Sequence, residues 1–182
     1  AVHKRYQNLA DPRGPLRRKL SVVLVRPQRG VNVGAAARAV LNMGFENPLR
    51  IVGSADVIDE ECRRSATHAL PLLAQTLFFD DLKGALAGRP ALVLAATARI
   101  GSAGRPHPLW LGEAMRRAIT KLDAGEIDHL HLVFGPEADG LSNDDLLLAD
   151  WVVGIPTPST FRSLNLAQAV LLFVYEANLA LL

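Results

Sequence analysis

Unbroken apolar runs recur along this chain, and between them lie segments with helical spacing. The runs at 20–25, 48–52, 76–79, 91–95, 129–134 and 151–155 are short and rich in Val, Leu and Ile. They lack the period-2 alternation of a sheet with one wet face. A strand that is apolar on both sides must be covered on both sides, which is the mark of a parallel sheet between two layers of helices. Helical segments are expected at 32–43, 59–73, 80–87, 110–122, 142–148 and from 163 onward. Pro71 marks a kink in the second of them, and Ser163 is a ready N-cap for the last. A Gly- and Pro-rich loop covers 99–108. Strand and helix alternate throughout, so the expected fold class is α/β, a mostly parallel sheet with helices on both faces.

Length and composition set the outer limits. A chain of 182 residues with 49% hydrophobic side chains has the size and apolar content of one domain with a full core, and 20–182 reads as that domain. The single cysteine, Cys62, excludes an internal disulfide and any multi-cysteine metal site, which fits the cytoplasm. The N-terminus is polar and charged, unlike a signal peptide. The longest apolar stretch, 164–182, contains Asn165, Gln168, Glu176 and Asn178, so it reads as a buried helix and not a membrane span.

The net charge of +2 conceals an asymmetry. Residues 1–20 hold Lys4, Arg5, Arg13, Arg17, Arg18 and Lys19 against Asp11 alone, while the rest of the chain is net acidic. The segment 1–19 is therefore a basic arm, open to two readings: a contact for phosphate backbones, or a solvated leader.

In an open parallel sheet, ligands sit beyond the carboxyl ends of the strands. Three such ends stand out. After the first strand, Asn32-Val-Gly-Ala-Ala-Ala-Arg38 puts one strong cation on a helix of small residues. After the fifth, Phe134-Gly-Pro-Glu-Ala-Asp-Gly-Leu141 offers Gly135 for close approach by a ligand, Gly140 for a tight turn, and Glu137 to hang in a cleft. After the sixth, a Pro/Ser/Thr segment from Ile155 leads into Ser163-Leu164-Asn165, where Asn165 is an unexplained polar group two residues into an apolar helix. Each has a bland reading alone: a solvated arginine, a surface turn, a cap. No G-x-G-x-x-G dinucleotide fingerprint is present.

Taken in order, the three segments resemble the three motifs of the SPOUT methyltransferases, over roughly residues 20–177. Thr97-Ala98-Arg99 after the fourth strand and the closing Tyr175-Glu176 resemble the TrmJ-like branch of that class. The resemblance implies a C-terminal deep trefoil knot, a homodimer, and S-adenosylmethionine as cofactor. It implies a methyltransferase acting on RNA at a ribose 2′-hydroxyl, tRNA first. The same reaction on rRNA, or a non-catalytic knotted RNA-binding module, are the alternatives. By analogy the cofactor is bound by Thr97, Ala98, Arg99, Gly135, Ile155, Ser163, Leu164 and Asn165, and the catalytic set is Arg38, Glu137, Ser163 and Asn165. Arg38 would reach the partner subunit's cofactor. A guanidinium is too weak an acid to serve as general base, so its expected role is electrostatic stabilisation of the developing alkoxide, or activation through an RNA phosphate. No metal is expected: methyl transfer needs none, and His129-x-His131 at a strand start lacks a third ligand, which leaves it a structural or surface role. Members of the branch extend past the catalytic domain, and these residues end with its last helix.

Overall fold

The apolar runs become one sheet. A computed structural model of the chain describes residues 13–99, 107–158, 160 and 162–182. Seven strands are seen: β1 (Leu20–Val25), β2 (Arg50–Val52), β3 (Leu77–Phe79), β4 (Ala91–Thr97), β5 (Leu109–Trp110), β6 (His129–Phe134) and β7 (Trp151–Gly154). They lie in the order β3-β2-β1-β6-β4-β7-β5, and every pairing is parallel. The expected architecture is therefore found.

The helices are α1 (Gly14–Arg17), α2 (Gly30–Asn42), α3 (Glu60–Ala66), α4 (Leu70–Leu73), α5 (Leu82–Leu86), α6 (Leu111–Asp123), α7 (Asn143–Leu146) and α8 (Leu166–Leu181). Alternate side chains of each strand point to opposite faces. Leu20, Val22 and Leu24 join Leu130, Leu132 and Phe134 in the larger core, with Val33 of α2, Met115 of α6 and Phe173 of α8. Val23, Val25, Val93 and Val133 face the other way, onto Leu82 and Ala85 of α5 and Leu141. Both faces are dry, which is why the strands read as continuous apolar runs. Helices α2 and α3 meet closely at Gly34, where a Cβ would fall on the Cys62 carbonyl and the Ser65 hydroxyl.

Several expectations change. β5 is a seventh strand of two residues, where the sequence reads as loop and helix start. The helix expected over 59–73 is broken at Thr67, which takes a left-handed φ of 50°, ahead of Pro71. The last helix begins at Leu166 with Asn165 as its N-cap, accepting from the N–H groups of Ala167 and Gln168. Asn165 is thus no stray polar group inside the helix, and Ser163 is not the cap. Only part of α8 is buried: Phe173, Val174 and Ala177 enter the core, while Leu171, Leu172, Tyr175 and Leu179 are exposed. The basic arm is not wholly a leader. Arg17 donates to the Met43 carbonyl and the Asn178 side chain and stacks on Phe45, and Arg13 reaches the Ala180 carbonyl. The rest of the arm, residues 1–12, and the loop expected over 99–108, for residues 100–106, fall outside the described residues. Among the described residues no helix is long and apolar enough to cross a membrane.

Two histidines on β6 tie this core to pH. Burial, then Arg89 and Arg50, lowers His129 to about 4. Burial, then His129 and Arg50, lowers His131 to about 3. The unfolded chain takes up these protons near the ordinary value of about 6.5, before the folded chain does. The stability contributed by the neutral imidazoles is complete above that pH and is lost as pH falls toward the folded values. Denaturant midpoints should therefore fall steadily between about pH 6.5 and the carboxylate range. The His129→Asn/His131→Asn variant should show a flatter dependence there; an equal slope would contradict this account.

Candidate active site

A cleft of about 360 Å³ opens where the carboxyl ends of β4, β6 and β7 meet. Its apolar floor is Phe134, Val153, Leu166 and Phe173, and its rim is largely backbone-rich loop: Thr97, Ala98 and Arg99 after β4, residues 135–141 after β6, and Ile155, Thr157, Arg162, Ser163 and Leu164 after β7.

One carboxylate organises the rim. The Glu137 side chain accepts from the backbone N–H of Gln28 at 2.7 Å, from that of Arg29 at 3.1 Å, and from the Asn32 amide at 3.0 Å. The Ala138 N–H returns a bond to the Gln28 side chain at 3.0 Å. Buried Asn32 then accepts from the Asn165 amide at 2.9 Å. Glu137, Asn32 and Asn165 thus join the three loops in one chain of hydrogen bonds. Asn165 also caps α8 through a capping box with Gln168. Burial pushes the Glu137 carboxyl up, but its bonds from Asn32, Gln28, its own N–H and Arg29 outweigh that and hold it below the usual value. It is a charged, saturated acceptor, with little capacity left to take a proton from a substrate.

The loop after β6 explains its glycines differently from the sequence. Gly140 does take a left-handed φ of 65°, closing a turn through its N–H to the Pro136 carbonyl. At Gly135, however, a Cβ would fall on the backbone of Gly140 and Leu141. This glycine makes room for its own loop, not in the first place for a ligand. Arg99 buttresses the same loop, its guanidinium donating to the Asp139 carbonyl.

Of the residues singled out by sequence, Thr97, Ala98, Arg99, Gly135, Glu137, Ile155, Ser163 and Leu164 line the cleft. Asn165 does not line it: it is exposed, and its side chain is engaged with Asn32 and the helix start. Arg38 does not line it: it is exposed on α2 and has no hydrogen bond or ion pair among the described residues. Sequence reasoning passed over Gln28, which clamps the loop, and Arg162, which lines the cleft. It also passed over a second brace: Arg26, at a left-handed φ of 49°, pairs at 2.6 Å with the buried Asp145 of α7. Burial raises that carboxyl, while bonds from Ser142 and Arg26 more than reverse the effect. The Ser142-x-x-Asp145 capping box was a readable signal for this end of the brace.

A cleft of this volume with an apolar floor and a polar backbone rim suits a small organic ligand that has a flat apolar part and polar edges. Among the described residues no three His, Cys, Asp or Glu side chains converge as a metal site would require.

The chain resembles known proteins over nearly its whole length. A model of the SpoU rRNA Methylase family matches residues 19–175. A tRNA (cytidine-2′-O-)-methyltransferase TrmJ of Methanocaldococcus jannaschii is 32% identical over 157 residues, covering 86% of this chain and 66% of the relative. The chain thus spans about two thirds of that relative. A probable methyltransferase of Bordetella pertussis Tohama I superposes with a TM-score of 0.85 at 34% identity, covering 93% of this chain and 99% of that one. The SpoU methyltransferase AviRb of Streptomyces viridochromogenes, in complex with AdoMet, does so with a TM-score of 0.67 at 25% identity, covering 91% and 59%.

Replacing Glu137 by glutamine keeps one acceptor oxygen but sets an NH₂ group against part of its three N–H donors. Glu137→Gln should cost on the order of 1–2 kcal/mol, the scale of losing bonds to a partly exposed charged acceptor. Chemical denaturation reads this directly, and an unchanged midpoint would show that the clamp carries no weight.

Proposed function

Since this chain belongs to the SpoU rRNA methylase family, we propose that it methylates RNA at a ribose 2′-hydroxyl, with S-adenosylmethionine as donor and tRNA as the first-choice substrate. The observation that carries the reading is the hydrogen-bonded chain Glu137–Asn32–Asn165. It draws the three motif-bearing loops around one cleft at the strand ends. The cleft fits the donor in kind: apolar floor for a purine, backbone rim for its polar edges, ample volume. The same reading carries the C-terminal knot that the resemblance implies.

When bound, the donor would supply a methyl group on a sulfonium: the ribose O–CH₃ bond would form as the S–CH₃ bond breaks, a neutral thioether would leave, and the hydroxyl proton would pass to solvent. The protein must hold that hydroxyl in line and stabilise the charge that develops on oxygen. Glu137 is committed to clamping the loops. Ser163 on the rim is free to orient ribose or donor. Arg38 is the cation for the developing alkoxide, acting on the cleft of a second subunit, because it stands outside its own.

The same surfaces support a homodimer. On α8, Leu171, Leu172, Tyr175 and Leu179 form an apolar face left uncovered among the described residues, and α2 packs beside that helix. Leu41, one turn after Arg38 on α2, is also exposed. Pairing of these faces in two copies would bury the apolar surface and leave Arg38 at the edge of the partner.

Incubation with an unmodified tRNA transcript and S-adenosylmethionine, followed by nucleoside mass spectrometry, should yield a 2′-O-methylated nucleoside. An rRNA transcript is the comparison arm. Cofactor binding without methylation of either RNA would favour the non-catalytic module. Arg38→Ala should cut single-turnover rate on the order of 10²-fold at saturating RNA, with cofactor affinity nearly unchanged. Near-normal turnover would remove Arg38 from the catalytic set.

A further inference from the structure

The pair His129-x-His131 has no part in the cleft. β6 runs from His129 to Phe134, so at about 3.3 Å per residue His129 sits roughly 17 Å and His131 roughly 10 Å from the cleft end of the strand. Around the pair a second cavity opens, of about 260 Å³, lined by both histidines with Ser21, Asn47, Arg18, Arg50 and Arg89. Among the described residues no carboxylate lines it. Three of its polar side chains are cationic, Ser21 and the imidazoles can donate hydrogen bonds, and the Asn47 amide is committed to the Arg18 and Leu20 carbonyls.

Two features single this cavity out from a chance cluster of surface arginines. First, Arg50 is half-buried and held in place: its Nε donates to the Ala85 carbonyl at 2.7 Å, and its guanidinium stacks on Phe79 at 4.6 Å. Neither contact neutralises it, and among the described residues Arg18, Arg50 and Arg89 have no acidic partner. Second, His131 is only 4% exposed, and its Nδ1, like that of His129, has no hydrogen-bond partner among the described residues. Ser21 Oγ meets His129 Nε2 at 2.8 Å, so the imidazole next to the buried one is oriented. A fixed cation without a counter-ion beside unsatisfied ring nitrogens is costly unless an anion completes it.

We propose that this cavity is a phosphate-accepting site, separate from the cleft. In it a tetrahedral phosphate group lies between the guanidinium groups of Arg18, Arg50 and Arg89, with the His129–His131 pair at its buried end. Guanidinium forks match phosphate oxygens in pairs, which a chloride-sized ion would not exploit. Arg18 and Arg89 are exposed and close the mouth, while Arg50 supplies the fixed charge. The depressed proton affinity of both imidazoles has Arg50 among its causes, and a bound anion would relax it. A free phosphate and a phosphodiester of an RNA backbone share this chemistry. The site does not depend on the methyl-transfer reading.

The test uses the full chain and inorganic phosphate at constant ionic strength, read from the imidazole resonances of the histidines by NMR. His129 and His131 should shift saturably and titrate at higher pH with phosphate bound, while His68 and His107 stay put. Arg89→Glu and Arg18→Glu, both at exposed positions, should each weaken phosphate binding by about tenfold or more without moving the denaturant midpoint. A second arm measures tRNA affinity against salt. A slope reduced by about one in the variants assigns the occupant to an RNA backbone, and an unchanged slope with lost phosphate binding assigns it to a small phosphate. Absence of a saturable shift in the unmodified chain, or an equal shift in both variants, overturns the proposal. The wild-type titration decides the question even if a variant fails to fold.

Discussion

The arrangement of this molecule's active end depends on one carboxylate. Glu137 sits on a loop after β6, yet its three N–H donors, apart from its own, come from the turn after β1 and the first turns of α2. Bonds to a charged acceptor in a partly dry place are about twice as strong as neutral ones. That strength is available only while the carboxyl is ionised, and the net effect of its surroundings is to keep it so. Through Asn32 the same centre reaches Asn165, so the entry angle of α8 is coupled to the position of the loop after β6. The cleft is therefore a space left between three loops that one network pins together. Arg26 and Asp145 repeat the device on the other side of the β1 end, fixing α7.

The sheet separates two kinds of surface. At the carboxyl ends of the strands the groups are mostly neutral backbone with an apolar floor. At the amino ends of β1 and β6 a second cavity is lined by arginines and imidazoles. The apolar side of α8 and the exposed Arg38 of α2 belong to neither end, and they are the surfaces on which the proposed homodimer rests. The basic arm joins in only locally: Arg13 and Arg17 are used to fasten α1 to the carboxyl end of α8 and to the end of α2.

Much of this was legible in the sequence because burial on both faces leaves a plain trace. Strands β1, β4 and β6 stand where unbroken apolar runs predict them. β5 was hidden because two residues leave no periodicity, and Trp110 also opens the following helix as its cap. The start of α8 was misread because Ser163 and Asn165 are both good caps. The Asn165-x-x-Gln168 box could have decided between them. Gly135 shows a deeper limit: a glycine that admits a ligand and one that admits its own loop look alike until the path of residues 140–141 is known. The partners of Glu137 were likewise invisible, since more than a hundred residues separate it from Gln28, Arg29 and Asn32. His129-x-His131 could be seen as a pair, but the arginines around it come from three other segments.

If the cleft is built by the Glu137–Asn32–Asn165 network, residues that do not line it control what binds in it. A double-mutant cycle on S-adenosylmethionine affinity, measured by calorimetry for Asn32→Ala, Asn165→Ala and the pair, tests this most directly. Neither Asn32 nor Asn165 lines the cleft. If the network sets its shape, each single variant should weaken binding by about tenfold, and the double variant little more, because the second change acts on a link already broken. Unchanged affinity in the single variants, or losses that simply add, would contradict the account.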